Sequence, residues 1–455
     1  MVLLERAVLG LAVDVSAQPS APCRLAKRQL AVPNYSISCS GSIRAPERMQ
    51  NFLKILITRL NSRQFRRGVI SALLRPWLRC ADAALLEPGQ LIAASVHRIL
   101  ILRPNHRLGN ILLLTPLLAE IERHFPGAEI DVLAGNEAGP ALFENFFSIR
   151  RVYTFPHFVI RHLIATVGII FALRRAHYDL IIDPSQGSHS NRLLLGWIKP
   201  RSALGYPAST SAACAKWAQR LFLAPRHAAT LPIFLLRHSL ASSGKVDEQN
   251  FPPLQIRLTR SEKRAGQAVL NALLPWHSRV NRPVRIGIFA NATGSKRFDK
   301  QWWLRLLRPL IDSHPDYAFV EFVAADGLSR LDDHFPTYYS SNPRKLAAVL
   351  SALSFFVSAD CGIMHLACAS GAPTLGLFCV TDLAMYGPYG GCNQSLETGG
   401  RTPEQIAAII SDAVDKIKKF DPVHTAKSIR VPIAREPFLM AIANTDDEHP
   451  TLKQA

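Results

Sequence analysis

The chain is short of three things, and each shortage removes a class of protein. Long apolar runs are missing. The longest, Leu163 to Leu173, is flanked by Arg161, His162, Arg174 and Arg175 and is too short to cross a bilayer as a helix. Paired cysteines are missing too. The eight cysteines are scattered without a Cys-x-x-Cys pair, which argues against a zinc site and fits a reducing compartment. Negative charge is scarce: 34 Asp and Glu stand against 53 Lys and Arg, a formal net charge of +19. That balance selects anionic partners, whether nucleic acid, an anionic membrane or a phosphorylated substrate. The cations are dispersed and no nucleic-acid reader motif occurs, so nucleic acid is set aside.

What is present suffices for two domains with full cores: 455 residues, 48% hydrophobic and 19% charged. The chain is organised around the stretch from Ser358 to Pro373. The apolar run Leu353 to Val357 before it and Thr374 to Phe378 after it read as buried strands. Gly362 to Ser370 between them suits a short helix, with Asp360 near its N-terminus and Gly371 at its C-terminal end. Strand, polar turn, helix, strand is the unit of a parallel α/β sheet, and ligands bind beyond the carboxyl ends of such strands. Free N–H groups opening the helix favour an anion such as a diphosphate, and His365 in the first turn adds a donor. The bland reading is a buried crossover with a satisfied histidine.

The rest of the chain alternates in the same way. Arg98 to Arg103 reads as a strand, and Pro104 to Asn110 as a turn carrying His106. Ile111 to His124 reads as a helix bent or restarted at Pro116, and Glu129 to Leu133 as the next strand. Tyr178 to Asp183 leads into a polar loop, Pro184 to Asn191, and Arg201 to Tyr206 is another strand. The stretch from Phe251 to Pro283, rich in proline and charge, marks the crossing into a second domain. That domain opens with the strand Val284 to Ala290 and a loop, Asn291 to Trp302, whose glycine, hydroxyls and cations, Thr293 and Lys300 among them, suit a phosphate cradle. Tyr317 to Ala325 is a strand ending at Asp326-Gly327, and Thr402 to Lys419 is a closing helix.

The implied division runs as follows: 1–48 a disordered extension, or sequence upstream of a true start at Met49; 49–95 a basic amphipathic segment; 96–270 one domain; 271–422 a second; 423–455 a polar tail. Within the second of these, Met49 to Cys80 carries seven cations and no acidic residue among leucines, isoleucines and aromatics. It suits an anionic bilayer surface, or equally a solvated helix on the domain behind it.

Four ordered segments between about Arg98 and Lys419 resemble glycosyltransferase family 9, the lipopolysaccharide heptosyltransferases. Asp360, Gly362, His365 and Leu366 match the family's nucleotide-sugar loop, with Cys361 in place of a hydroxyl residue. Gly109, Thr115-Pro116 and Phe125 to Leu133 match its opening strand, helix and strand. Tyr178 to Asp183 matches its Tyr-Asp-x-x-Ile-Asp, and Lys300 with Trp302 its Lys-x-Trp. Thr381-Asp382 matches its Thr-Asp, although Cys379 and Val380 replace the preceding Gly-Pro.

The resemblance implies the GT-B architecture, an α/β fold of two Rossmann-like domains facing a cleft. The acceptor is expected on the N-terminal domain and the nucleotide sugar on the C-terminal one. It implies inverting transfer, without metal or resident cofactor, of heptose from ADP-heptose to a lipopolysaccharide core acceptor. The enzyme is expected to be a cytoplasmic monomer, peripheral on the anionic inner membrane. No Asp-x-Asp, the metal-nucleotide signature of the other major glycosyltransferase fold, occurs in the chain. On the donor side the resemblance points to Thr293, Lys300, Asp326, Asp360, Cys361, Gly362, His365, Thr381 and Asp382, with Asp326 toward the ribose. Asn110 stands where most members carry an aspartate treated as the catalytic base, and an amide cannot take a proton. His106 and Asp183 are the candidate substitutes. Two other readings stay open: a non-catalytic nucleotide-sugar binder, and a GT-B nucleotide-sugar epimerase.

Overall fold

The computed structural model describes residues 81, 84–135, 137–156, 162–186, 188–206, 217, 220–221, 224–240, 249–274 and 283–420. The extension at 1–48, the basic segment Met49 to Cys80 and the tail at 423–455 lie outside the described residues.

The first half contains β1 (Arg98–Arg103), α1 (Leu108–Leu112), α2 (Thr115–His124), β2 (Glu129–Ala134), α3 (Gly139–Phe143), β3 (Ile149–Thr154), α4 (Leu163–Arg175), β4 (Leu180–Ile182), α5 (His189–Ile198), β5 (Ser202–Leu204) and α6 (Leu231–Ser239). There follow α7 (Arg260–Leu273), β6 (Val284–Phe289), α8 (Lys300–Ser313), β7 (Tyr317–Phe322), β8 (Thr337–Tyr338) and α9 (Pro343–Leu350). The chain continues with β9 (Phe355–Ala359), α10 (Gly362–Ser370), β10 (Thr374–Phe378), α11 (Leu383–Tyr386), β11 (Gln394–Glu397) and α12 (Pro403–Phe420).

Central strands are buried along their length because helices cover both faces. Ile99 to Leu102 in β1 and Phe355 to Ala359 in β9 are all buried. The helix after β1 restarts because Pro116, in the first turn of α2, has no N–H to donate backward. Thr115 ties the joint by donating its hydroxyl to the Leu112 carbonyl at 2.8 Å. At the other end of the chain, Gly371 adopts φ of +91° to stop α10, a conformation that only glycine reaches without cost.

All strand pairs are parallel, in the orders β3-β2-β1-β4-β5 and β11-β10-β9-β6-β7-β8. Counted from its own first strand, each half runs 3-2-1-4-5, the doubly wound order, and the second continues to a sixth strand. Such a sheet has one switch point, where neighbouring strands send their connections to opposite faces and leave a crevice. Here the switch points lie between β1 and β4 and between β6 and β9.

Polar contacts join the two halves through the chain before α7, where Arg257 donates to Glu122 on α2 at 2.9 Å. Arg344 on α9 donates to Glu262 at 2.5 Å and to the carbonyls of Ile256 and Arg257 at 3.2 and 3.1 Å. Arg344 in turn holds the Glu262 carboxyl down at about 2. The division expected at 270/271 falls within α7, which rests on α9: a Cβ added at Gly266 would lie 2.1 Å from the Ala348 oxygen. Residues before α6 also reach across. Arg226 pairs with Asp382 at 3.2 Å, Ala228 N–H donates to the Met385 carbonyl at 2.9 Å, and the His227 ring meets the Gly387 carbonyl at 2.8 Å. No helix among the described residues is long and apolar enough to cross a membrane.

Candidate active site

The β6/β9 switch point supplies the first group of side chains. Cys361 occupies the N-cap position of α10 and makes no regular capping hydrogen bond; only its thiol, a weak acceptor, lies near the Ile363 and Met364 N–H groups that open the helix. Its sulfur lies 3.3 Å from Ser358 Oγ, and burial pushes the thiol's pKa up. Directly before it, the buried carboxylate of Asp360 receives Lys296 Nζ at 2.6 Å. Lys296 comes from the single 3₁₀ turn after β6, Gly294 to Lys296.

His365 is 4% exposed, and burial lowers its pKa to about 4 against the opposing pull of Asp360. It is therefore neutral at pH 7, and its buried Nδ1 has no hydrogen-bond partner among the described residues. An anion at this helix end would meet positive charge from Lys296 and only a dipole from His365. In the unfolded chain the same imidazole titrates near ~6.5. The folded state therefore binds fewer protons in that window, so the stability involved is complete above about 6.5 and is lost as pH falls through about 4. Thermal unfolding should accordingly lose less on acidification from pH 7 to 4.5 in His365→Asn than in the parent chain. Equal losses in both proteins would contradict this.

The β1/β4 switch point supplies the second group. Asp183, directly after β4, is buried and accepts the Asn191 amide at 2.7 Å and the Ser185 N–H at 3.0 Å, both on Oδ1. Burial raises its pKa to about 6, although Asn191, Ser185 and Arg103 all favour the carboxylate. Arg103, at the end of β1, donates to Ser185 Oγ at 2.9 Å while its buried Nε has no partner among the described residues. Tyr206 and Tyr386, one from each half, lie within electrostatic reach of this guanidinium. Three buried polar atoms, Arg103 Nε, Asn191 Oδ1 and Tyr206 Oη, thus have no hydrogen-bond partner among the described residues.

Between the two groups the halves touch. A Cβ added at Gly109 would lie 2.7 Å from His365 Cδ2, and one at Gly362 would lie 3.0 Å from Leu108 Cβ. The first turn of α1 therefore rests on the first turn of α10, with half-buried Asn110 next to the seam.

The remaining expected residues are spread more widely. Lys300 faces outward, bonded to Asp332 at 2.6 Å with both side chains about half exposed. Thr293 is exposed on the turn before Lys296, and exposed Asp326 is turned onto the Leu328 N–H and Arg330. Asp382 caps α11 through the Ala384 N–H, with half-buried Thr381 beside it. His106 is half-buried in the turn after β1. Sequence reasoning passed over Lys296, because a Lys-x-Trp spacing drew attention to Lys300. It also passed over Arg103, whose signal was a cation at the carboxyl end of a strand with an apolar middle.

Residues 341–405, which span α9 through the start of α12, match the model of glycosyltransferase family 9 (heptosyltransferase). Among solved structures, the chain is similar to a glycosyltransferase family 9 protein from Veillonella parvula, at 17% identity and a TM-score of 0.54, over 73% of this chain and 98% of that one. It is also similar to Escherichia coli heptosyltransferase WaaC, solved with ADP, at 19% identity and a TM-score of 0.51, over 70% of this chain and 99% of that one. No curated protein matches the chain. The two parallel sheets form the GT-B fold of these solved structures, and the segment that matches the family model contains the loop from Asp360 to His365.

Proposed function

We propose that the chain is an inverting, metal-independent glycosyltransferase that moves heptose from ADP-heptose to a hydroxyl of a lipopolysaccharide core acceptor. The donor diphosphate sits at the head of α10, where it competes with Asp360 for Lys296 and accepts from the opening N–H groups. The acceptor sits across the seam, toward Arg103 and Asn110. That WaaC was solved with ADP supports an adenine nucleotide here. The enzyme works at the inner face of the anionic inner membrane, which Met49 to Cys80 contacts.

The observation that carries this reading is Asp183, a buried carboxylate poised at about 6 in the half opposite the Lys296 site. A general base works best with a pKa near the operating pH. The Asn191 amide and the Ser185 N–H both donate to Oδ1, and Oδ2 is the oxygen we assign to take the acceptor's proton. Asn110 favours a second reading, a nucleotide-sugar binder without turnover. Incubation with ADP-heptose separates the two. ADP release that depends on acceptor is expected, and binding without release would support the second reading. Asn110→Asp should leave turnover flat or lower it, because a second carboxylate competes for the proton or repels an anionic acceptor. A rise in turnover, with His106 and Asp183 silent to substitution, would defeat the assignment of Asp183.

A further inference from the structure

The helix α4 is turned inside out for a helix at a water boundary. Thr166, its one polar side chain before Arg174, is 3% exposed, while Ile164, Val167 and Phe171 are 90%, 42% and 54% exposed. These three follow i, i+3, i+7 spacing and so form one outward stripe. The helix is nonetheless seated: Leu173 and, on the adjacent α5, Leu195 and Ile198 are buried against Leu100, Leu102 and Ile181 of the N-terminal sheet. Trp197 on α5 adds 39% exposed aromatic surface.

Cations border this apolar face. Arg174 and Arg175 end α4, and Lys199 and Arg201 follow α5, all four exposed. No aspartate or glutamate occurs from Asn145 to Tyr178 or from Pro184 to Val246. We propose that the outer face of α4 and α5 docks on an anionic bilayer, with Ile164, Val167, Phe171 and Trp197 in the acyl boundary and the cations among the headgroup phosphates.

Charge decides between possible occupants. A second copy placed on this face by a two-fold axis would bring the same cations together. The segment Met49 to Cys80 also lacks acidic residues and would meet like charge. An anionic lipid surface supplies apolar depth and negative charge together. At 13 residues α4 is too short to span, so it lies in the plane of the interface. The contact is additional to that of Met49 to Cys80 and does not depend on the transfer reaction.

The test is co-sedimentation of the full chain with vesicles of phosphatidylcholine and phosphatidylglycerol, and with phosphatidylcholine alone. The parent chain should bind the anionic vesicles, and I164S/F171S should bind at least about tenfold more weakly with an unchanged melting temperature. R175E/K199E should weaken binding at low salt, and the deficit should shrink as salt screens the lipid charge. Binding by both variants equal to the parent's would overturn the proposal, as would failure of the parent to bind. A dimeric parent that I164S/F171S converts to a monomer would assign the face to a second copy instead. Should I164S/F171S fail to fold, the charge variant alone still decides.

Discussion

Lys296→Ala should lower turnover by about 10²–10³-fold, and Lys300→Ala by less than about tenfold. The difference rests on what each ammonium holds. Lys296 bonds the buried Asp360 at the head of α10, where the proposed donor site puts the charge of the leaving diphosphate. Lys300 bonds Asp332 on the surface, in a pair screened by water. Removal of Lys296 also leaves Asp360 buried without its cation, a change that typically destabilises by about 3–5 kcal/mol. Lost activity in the single variant could therefore reflect lost folding. The double variant Lys296→Ala, Asp360→Asn separates the two effects: melting temperature should recover, and turnover should stay low. The scheme fails if Lys300→Ala proves the more damaging change, or if the double variant regains turnover.

The second large effect is expected at Asp183. Asp183→Asn should cost about 10²–10⁴-fold in turnover, with nucleotide affinity nearly unchanged. It should also make the protein more stable at pH 8. The folded-state pKa is about 6 and the unfolded value near ~3.9. Between those values the folded state binds more protons, so Asp183 weakens the fold as pH rises from about 4 to about 6 and keeps it weakened above. Asparagine can still accept from Ser185 and Asn191 at Oδ1 and carries no charge at any pH. The melting temperature of Asp183→Asn should therefore exceed the parent's at pH 8 and match it at pH 4. In the parent, turnover should fall below about pH 6 as Asp183 takes up its proton. A variant less stable at pH 8 with full turnover would make Asp183 a structural anchor and not a base.

The central strands and the helix of the main motif were legible in the sequence because burial writes them plainly. Arg98–Arg103, Thr374–Phe378 and Gly362–Ser370 were each readable to the residue. The restart at Thr115 was legible because proline has only one reading inside a helix. The edges of the sheets were not. β3 carries Arg150 and Arg151 with a half-wet pattern, β8 is two residues long, and β11 has no fully buried residue. Strands like these are defined by the neighbour they pair with, not by their own composition. In the site, the head of α10 and Asp183 could be located from local pattern. Which lysine reaches Asp360 depends on a turn of 3₁₀ helix after β6, and the convergence of Arg103 with Tyr206 and Tyr386 depends on how the halves dock. Neither is a property of nearby sequence.

With donor and acceptor bound as proposed, the seam at Gly109 and Gly362 sets the reach of the reaction between them. Where side chains separate two elements, a rotamer change can alter the gap by an ångström or more. Here main chain lies almost on main chain, with Gly362 Cα 3.6 Å from the position of a Gly109 Cβ. Asn110 follows one of these glycines, and the opening N–H groups of α10 follow the other. The span between an acceptor held at Asn110 and a diphosphate held at α10 is therefore gauged by two stiff backbones. An error of about 1 Å in such a span can cost about 10²-fold in rate. The absence of two methyl groups acts as a fixed stop, and a substrate pair must fit that span or fail to react.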